Sequence, residues 1–150
     1  MKKLFITLGV IFLTIIFGVI AFFVVSIYRY DGLDEISEKY TLEITEEILK
    51  HGNGNLLYEN SHESLKQGFS KSDSINLISK IQTALGQLKE IGEPEGQAVI
   101  QHNVGDKTAI GAEYIIPLVY ENGNANLDIK LTQEDGEWEI SNFQISIGKL

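Results

Sequence analysis

The chain runs through three hydrophobic rhythms. Leu4 to Tyr28 is a run of 25 residues without a formal charge. From Leu33 the apolar positions recur at three- and four-residue spacing through Ile36, Tyr40, Ile44 and Ile48, with Glu35, Glu38, Lys39, Glu43, Glu46, Glu47 and Lys50 between them. That spacing predicts an amphipathic helix with a solvated acidic face, stopped by the His-Gly-Asn-Gly stretch at 51–54. Asn55 is expected to cap a short helix through Leu56, Leu57 and Tyr58, followed by a polar segment anchored by Leu65 and Phe69. A longer helix then starts at Ser72 or Asp73, with Ile75, Ile78, Ile81, Leu85 and Leu88 on one stripe, Leu77 flanking it, and Gly92 and Pro94 at its end. Gly86 falls inside this helix, where glycine costs about 1 kcal/mol relative to alanine, so close approach of another backbone is expected there.

From Gln97 the period becomes two, and the pairs Gly105-Asp106, Asn122-Gly123 and Asp135-Gly136 read as tight hairpin turns. Four strands in an antiparallel meander follow. The third alternates cleanly, with Leu127, Ile129 and Leu131 on one face and Asp128, Lys130 and Thr132 on the other. In the fourth, Trp138 and Ile140 share a face but Phe143, Ile145 and Ile147 are shifted by one, which predicts a bulge near Ser141-Asn142. The second, Thr108 to Tyr120, is apolar on both faces around Ile115 and Ile116, and Pro117 points to an edge position or a kink. Helices followed by a curved antiparallel sheet make an α+β domain: an N-terminal transmembrane helix, then about three helices packed on a four-stranded meander.

Charge divides the chain at the same place as hydropathy. The net charge is −9 overall, but residues 31–150 carry 9 Lys and 21 Asp+Glu, a net −12, because Lys2, Lys3 and Arg29 lie before them. An acidic domain without a cluster of Lys or Arg argues against nucleic acid as a partner. Zero cysteines exclude disulfides, thiolate metal sites, cysteine nucleophiles and a lipidated cysteine. The uncharged run reaches about 37 Å as a helix, more than the ~30 Å hydrocarbon core of a bilayer. It is therefore expected to be an uncleaved anchor, with a cleaved signal peptide and a buried core helix as the competing readings; its apolar core exceeds the usual length in signal peptides. Lys2 and Lys3 precede the span while Asp31, Asp34 and Glu35 follow Arg29, which predicts a single-pass protein with its N-terminus cytoplasmic. The domain boundaries are then 1–30 for the anchor and 31–150 for a domain outside the cytoplasmic membrane. Tyr28 and Tyr30 suit the interfacial aromatic belt.

Candidate chemistry is sparse. His51, His62 and His102 are the only histidines and show no zinc-type spacing, so neither metal nor cofactor is expected. His51 reads as a helix C-terminal residue and His62 as a surface or cap residue. His102 shares a strand face with Ala98, Ile100 and Val104, so it is a candidate to face a pocket, where burial would favour its neutral, basic form. The competing expectation is a hydrogen-bonded or edge-exposed histidine. Tyr114 and Tyr120 share a face, and an isomerase-type acid–base set would need Glu113, Asp128 or His102 to join them. Glu113 and Asp128 alternate with apolar neighbours and are expected on the solvent face. Trp138 reads as a core residue, with ligand stacking as its functional alternative. No nucleophile elbow or phosphate-binding glycine motif is present. The weak pocket candidates are thus His102, Tyr114 and Trp138.

The segments Leu-Leu-Tyr-Glu-Asn at 56–60, Leu-Lys-Gln-Gly-Phe-Ser at 65–70, Leu-Gly-Gln-Leu-Lys at 85–89 and Gly-Glu-Trp-Glu-Ile-Ser-Asn-Phe at 136–143, in this order of elements, carry a resemblance. The stretch from Leu33 to Leu150 resembles the cystatin-like, cone-shaped domains of the nuclear-transport-factor-2-like superfamily, in particular its exported or membrane-anchored bacterial members. The resemblance implies a concave sheet whose helices enclose a pocket that is catalytic, ligand-binding or packed. This sequence lacks the Asp–His pair of the enzymatic members. The expected function is a membrane-anchored, extracytoplasmic, non-enzymatic interaction domain with a protein partner; the alternative is a small-molecule-binding or isomerase-like enzyme using the cone pocket.

Overall fold

The computed structural model describes residues 32–102 and 108–148, with the backbone alone at 100–102 and 108–109. Residues 34–150 belong to one compact unit. Among the described residues no helix is long and apolar enough to cross a membrane; the run at 4–28, expected as the anchor, lies outside them.

Helix α1 covers 32–50, regular to residue 45 and then widened into a π-turn over Glu46–Lys50. Its buried face corrects the predicted stripe: Ser37, Thr41 and Thr45 are fully buried, while Ile36 is 58% exposed. Hydroxyls can enter this core because two of them are satisfied locally. The Ser37 hydroxyl reaches the Asp34 carbonyl at 3.2 Å, and Thr41 Oγ1 donates to the Ser37 carbonyl at 2.7 Å. The π-turn adds a residue to one turn and so rotates the face, which is why both Ile48 and Leu49 are buried after Thr45.

Helix α2 spans Gly54–Glu59, and its N-cap is Asn53, not Asn55: the Asn53 side chain accepts from the Leu56 N–H at 3.1 Å. A four-residue helix, α3, Glu63–Lys66, occupies the segment expected to be merely polar, with His62 as its N-cap. Helix α4, Lys71–Leu85, starts two residues before Asp73 because Ser70 and Asp73 form a capping box. Ser74, Ile78, Ile81 and Leu85 are its buried stripe. It ends earlier than periodicity predicts. Gly86 is the C-cap, at φ 77°, and Leu88 belongs to a strand.

The sheet is entirely antiparallel and has five strands rather than four: β1 Leu88–Ile91, β2 Glu95–His102, β3 Thr108–Tyr120, β4 Gly123–Glu134 and β5 Glu137–Ile147. β1 and β2 both pair with β3, at its two ends, so they form one interrupted edge beside the order β3-β4-β5. Pro117 faces that interruption: the Gly92 N–H donates to its carbonyl at 2.7 Å. In an antiparallel pair the N–H and C=O of one residue point the same way, so the donor that proline lacks falls opposite a gap in the ladder. Pro117 therefore sits in an inner strand at no hydrogen-bonding cost. Ser141 is the bulged residue of β5, since Lys130 pairs with Asn142 and Leu131 with Ile140. The bulge returns Phe143, Ile145 and Ile147 to the face of Trp138 and Ile140. Asp135-Gly136, both at positive φ, joins β4 to β5 as expected; the β3–β4 turn is Glu121-Asn122, one residue earlier than expected, with Gly123 already in β4 opposite Tyr120, and Gly105-Asp106 lies outside the described residues.

The helices cover one face of the sheet. Ile48, Leu57 and Ile78 are fully buried, as are Ile116, Leu118, Leu127, Ile129 and Ile140 from the strands. The other face carries the ion pair of Lys130 with Glu113 at 2.9 Å, beside exposed Val99, Ile115 and Val119.

Candidate functional site

Tyr114 of β3 is the sequence candidate that the fold places most deeply, at 3% exposure on the covered face. Its hydroxyl lies 2.7 Å from Ser37 Oγ and 3.4 Å from the Asp34 carbonyl. The Asp34 carboxylate in turn accepts from the backbone N–H of Ala98 in β2. The start of α1 is thereby tied to two strands through one aspartate, one serine and one tyrosine. Burial raises the Tyr114 pKa above the ordinary phenol value, and the Ser37 hydrogen bond offsets part of that rise. A neutral phenol already paired with a hydroxyl is a structural crosslink. It offers no base.

The sheet itself separates the remaining members of the isomerase-type set. Tyr120 is buried on the covered face, with no hydrogen-bond partner for its hydroxyl among the described residues and a pKa pushed up to about 12 by burial. Glu113 is exposed on the opposite face, where Lys130 pairs with it, and Asp128 receives a hydrogen bond from Asn142 Nδ2 at 3.1 Å. The ion pair with Glu113 raises the Lys130 pKa. Glu95, Glu113, Tyr114, Ile115 and Asp128 line an open hollow of about 200 Å³ there, while the Tyr114 hydroxyl is held by Ser37 on the covered face. Two tyrosines on one side of a sheet and two carboxylates on the other cannot meet a common substrate atom.

Trp138 is a buried core residue whose Nε1 has no hydrogen-bond partner among the described residues. It is aligned through Gln133 with Ile110, whereas Tyr114 is aligned through Ile129 with Phe143. That offset is four residues along β3, roughly 13 Å, and the two side chains stand on different outer and inner strands. The backbone of His102 pairs with Thr108 at the end of β2, and its side chain lies outside the described residues.

Sequence reasoning missed one grouping. The Ser64 N–H donates to His62 Nδ1 at 3.2 Å, which makes Nδ1 an acceptor and leaves the ring proton on Nε2, 3.2 Å from Glu134. The Ser64 hydroxyl is also within 2.7 Å of Nδ1. This is the polarity of a serine–histidine–carboxylate relay, bordering a hollow of about 180 Å³ with Thr132 and Ser141. The Ser64 N–H that could stabilise an oxyanion is spent on the cap, and Glu134 is 68% exposed. The grouping joins α3 to the end of β4. No sequence signal could have found it, because Glu134 is 72 positions from His62.

Among the described residues no three His, Cys, Asp or Glu side chains are grouped to hold a metal ion. A wider hollow of about 490 Å³ opens beside Leu49, Lys50, Gln82, Gln87 and Glu121, with the cation and the carboxylate on its rim. The Lys89 ammonium holds the Glu121 carboxyl below its ordinary pKa, with the Gln87 N–H adding to the effect. The fold is an α+β domain with a five-stranded antiparallel sheet. Comparison with protein-family models, curated proteins and solved structures finds no match for this chain.

Proposed function

We propose that this protein is a membrane-anchored, extracytoplasmic, non-enzymatic interaction domain that supports an envelope or membrane complex. The anchor is the uncharged run 4–28, and Lys2 and Lys3 before it keep the N-terminus on the cytoplasmic side. The nuclear-transport-factor-2-like resemblance adds the cone-like shape, and rests on the motifs at 56–60, 65–70, 85–89 and 136–143 with the element order. One observation carries the non-enzymatic part: Ser37 and Tyr114 close on each other at 2.7 Å between α1 and the sheet, the nearby Asp34 carboxylate is taken up by the Ala98 N–H, and Glu113 and Asp128 stand on the opposite face. A domain of net −12 holds itself off anionic headgroups, which suits a protein partner better than a lipid one.

Three measurements test the reading. A reporter fused after Leu150 should be active only outside the cytoplasm; activity confined to the cytoplasm overturns the export claim. Crosslinking followed by purification of the full chain from its native membrane should yield a partner at fixed stoichiometry. Loss of a measurable turnover in Tyr114→Phe, with the fold intact, would sink the non-enzymatic reading and favour the pocket.

A further inference from the structure

Both edges of the sheet carry unpaired backbone groups, and the protein covers them unequally. At the β2 edge the Asp34 carboxylate takes up the Ala98 N–H. At the β5 edge the chain covers only the first half: Ser61 bridges in parallel to Ile140, the Ile140 N–H donates to the Asn60 carbonyl at 2.7 Å, and the His62 N–H donates to the Ile140 carbonyl at 2.8 Å. The bulge at Ser141 follows. Beyond it the described residues leave the edge open.

The direction of the open groups follows from the ladder. Gly148 donates to the Asn124 carbonyl at 3.0 Å, so the even-numbered positions Gln144 and Ser146 turn their backbone groups toward β4. Phe143, Ile145 and Ile147 turn theirs outward. Among the described residues nothing takes them up. Beyond the bulge this half-edge has neither proline nor charge, through to Gly148, to keep strands apart, in a domain whose net charge is −12. Ile147 at its end is 56% exposed.

We propose that two copies of this chain pair antiparallel through the open half of β5, joining their sheets across a symmetry axis at Ile145. The choice of a second copy rests on self-complementarity. Antiparallel pairing centred on Ile145 sets it against its own copy, Phe143 against Ile147, and Gln144 against Ser146. Those are aromatic to β-branched, β-branched to β-branched, and amide to hydroxyl, the cross-strand combinations that stabilise a sheet. The outward groups are those of Phe143, Ile145 and Ile147, the same residues that the axis places opposite one another, so every donor meets an acceptor. Neutrality matters as much. Two domains of net −12 repel, and contact through a charge-free strand adds no like-charge pair to that repulsion. The inference goes beyond the proposed function and does not depend on the membrane anchor.

The absence of cysteine makes the test clean. Ile145→Cys in the full chain, in detergent micelles, places two thiols across the axis at a backbone spacing of about 5.5 Å, within disulfide range. Mild oxidation should give a disulfide dimer, while Glu137→Cys, at the start of β5, should not. Because Ile145 is half-buried, a second arm mixes differently tagged chains carrying Gln144→Cys or Ser146→Cys, both exposed, and reads the mixed dimer. Adding Ile147→Pro removes an outward N–H that β4 does not use, and should lower the crosslinked fraction about tenfold with the Trp138 fluorescence unchanged. Equal crosslinking at Glu137→Cys, no mixed dimer, or crosslinking indifferent to Ile147→Pro would each overturn the pairing.

Discussion

Ser37 Oγ of α1 and the Tyr114 hydroxyl of β3 stand 2.7 Å apart, buried, across 77 positions of sequence. The bond connects the first helix with the middle of the sheet. Each hydroxyl has a weaker second partner in the Asp34 carbonyl, at 3.2 Å from Ser37 and 3.4 Å from Tyr114. Ser37→Ala and Tyr114→Phe should each cost about 1–2 kcal/mol, because each strands a buried hydroxyl or loses its bond. The double variant should cost less than the two together, with a coupling of about 1 kcal/mol. Denaturant unfolding of the full chain in detergent, followed by the fluorescence of the single tryptophan Trp138, measures all three; strict additivity would show that the bond carries no energy.

Gly54 opens α2 against the backbone of α4. A Cβ there would lie 2.5 Å from Ile75 Cα and 2.8 Å from the Ser74 carbonyl oxygen, both backbone atoms that cannot swing away. Ser74 Oγ also donates to the Gly54 carbonyl at 2.8 Å, and so clamps the crossing. Gly54→Ala should therefore destabilise by about 2–3 kcal/mol, through overpacking. Gly68→Ala, with open space where its Cβ would stand, should stay within about 0.5 kcal/mol. Comparable unfolding midpoints for the two variants would refute the close crossing.

The strand half of this fold was the more legible from sequence. Period-two alternation in β4, the turn at Asp135-Gly136 and the shift at Ser141 are local signals, and each corresponds to what the backbone does there; the Asn-Gly signal located the β3–β4 hairpin but one residue late, since Glu121-Asn122 makes the turn. The helices were legible as elements, and α4 also as the face of Ile78, Ile81 and Leu85, but the face of α1 was not. Ser37, Thr41 and Thr45 form an i, i+4, i+8 stripe that a hydrophobicity count treats as solvent, yet back-bonding to the helix satisfies two of them and their small size lets α1 approach the sheet. Periodicity carried α4 through to Leu88, because Leu85 and Leu88 are three apart; the positive φ that Gly86 adopts instead ends the helix and turns Leu88 into a strand beside Tyr120. The candidate site was partly legible. Tyr114 could be placed on a face, but its partner Ser37 lies on another element, and a long-range pair of small hydroxyls leaves no pattern in sequence.

The bulge at Ser141 makes an asymmetric prediction about deletions in β5. Removing Ser141 leaves Ile140, Asn142 and Phe143 in strict alternation, so the hydrophobic set keeps its face and the protein should fold, with a straighter strand. Removing Gln144 moves Ile145 and Ile147 to the solvent face, at a cost of about 1–2 kcal/mol. Unfolding midpoints of the two deletions compare these directly. A Ser141 deletion that unfolds the protein while the Gln144 deletion is tolerated would contradict the register.

Tyr120 should govern stability at alkaline pH. Its hydroxyl is buried without a partner among the described residues, and burial lifts its pKa to about 12 from the ordinary 10. The folded state therefore holds the phenolic proton more tightly than the unfolded chain does. Stability from this group is fully present below pH 10, falls as the unfolded phenol ionises, and is lost by pH 12. About two units of difference correspond to about 2–3 kcal/mol over that window. Tyr114 and Tyr40, also raised by burial, act in the same direction. Tyr120→Phe should be as stable as the parent at pH 7, or more so by up to about 1 kcal/mol, since it removes an unpaired buried hydroxyl. Between pH 10 and 12 the variant should lose less stability than the parent. Parallel stability curves for the two proteins across that window would mean that the Tyr120 hydroxyl meets water in the folded state.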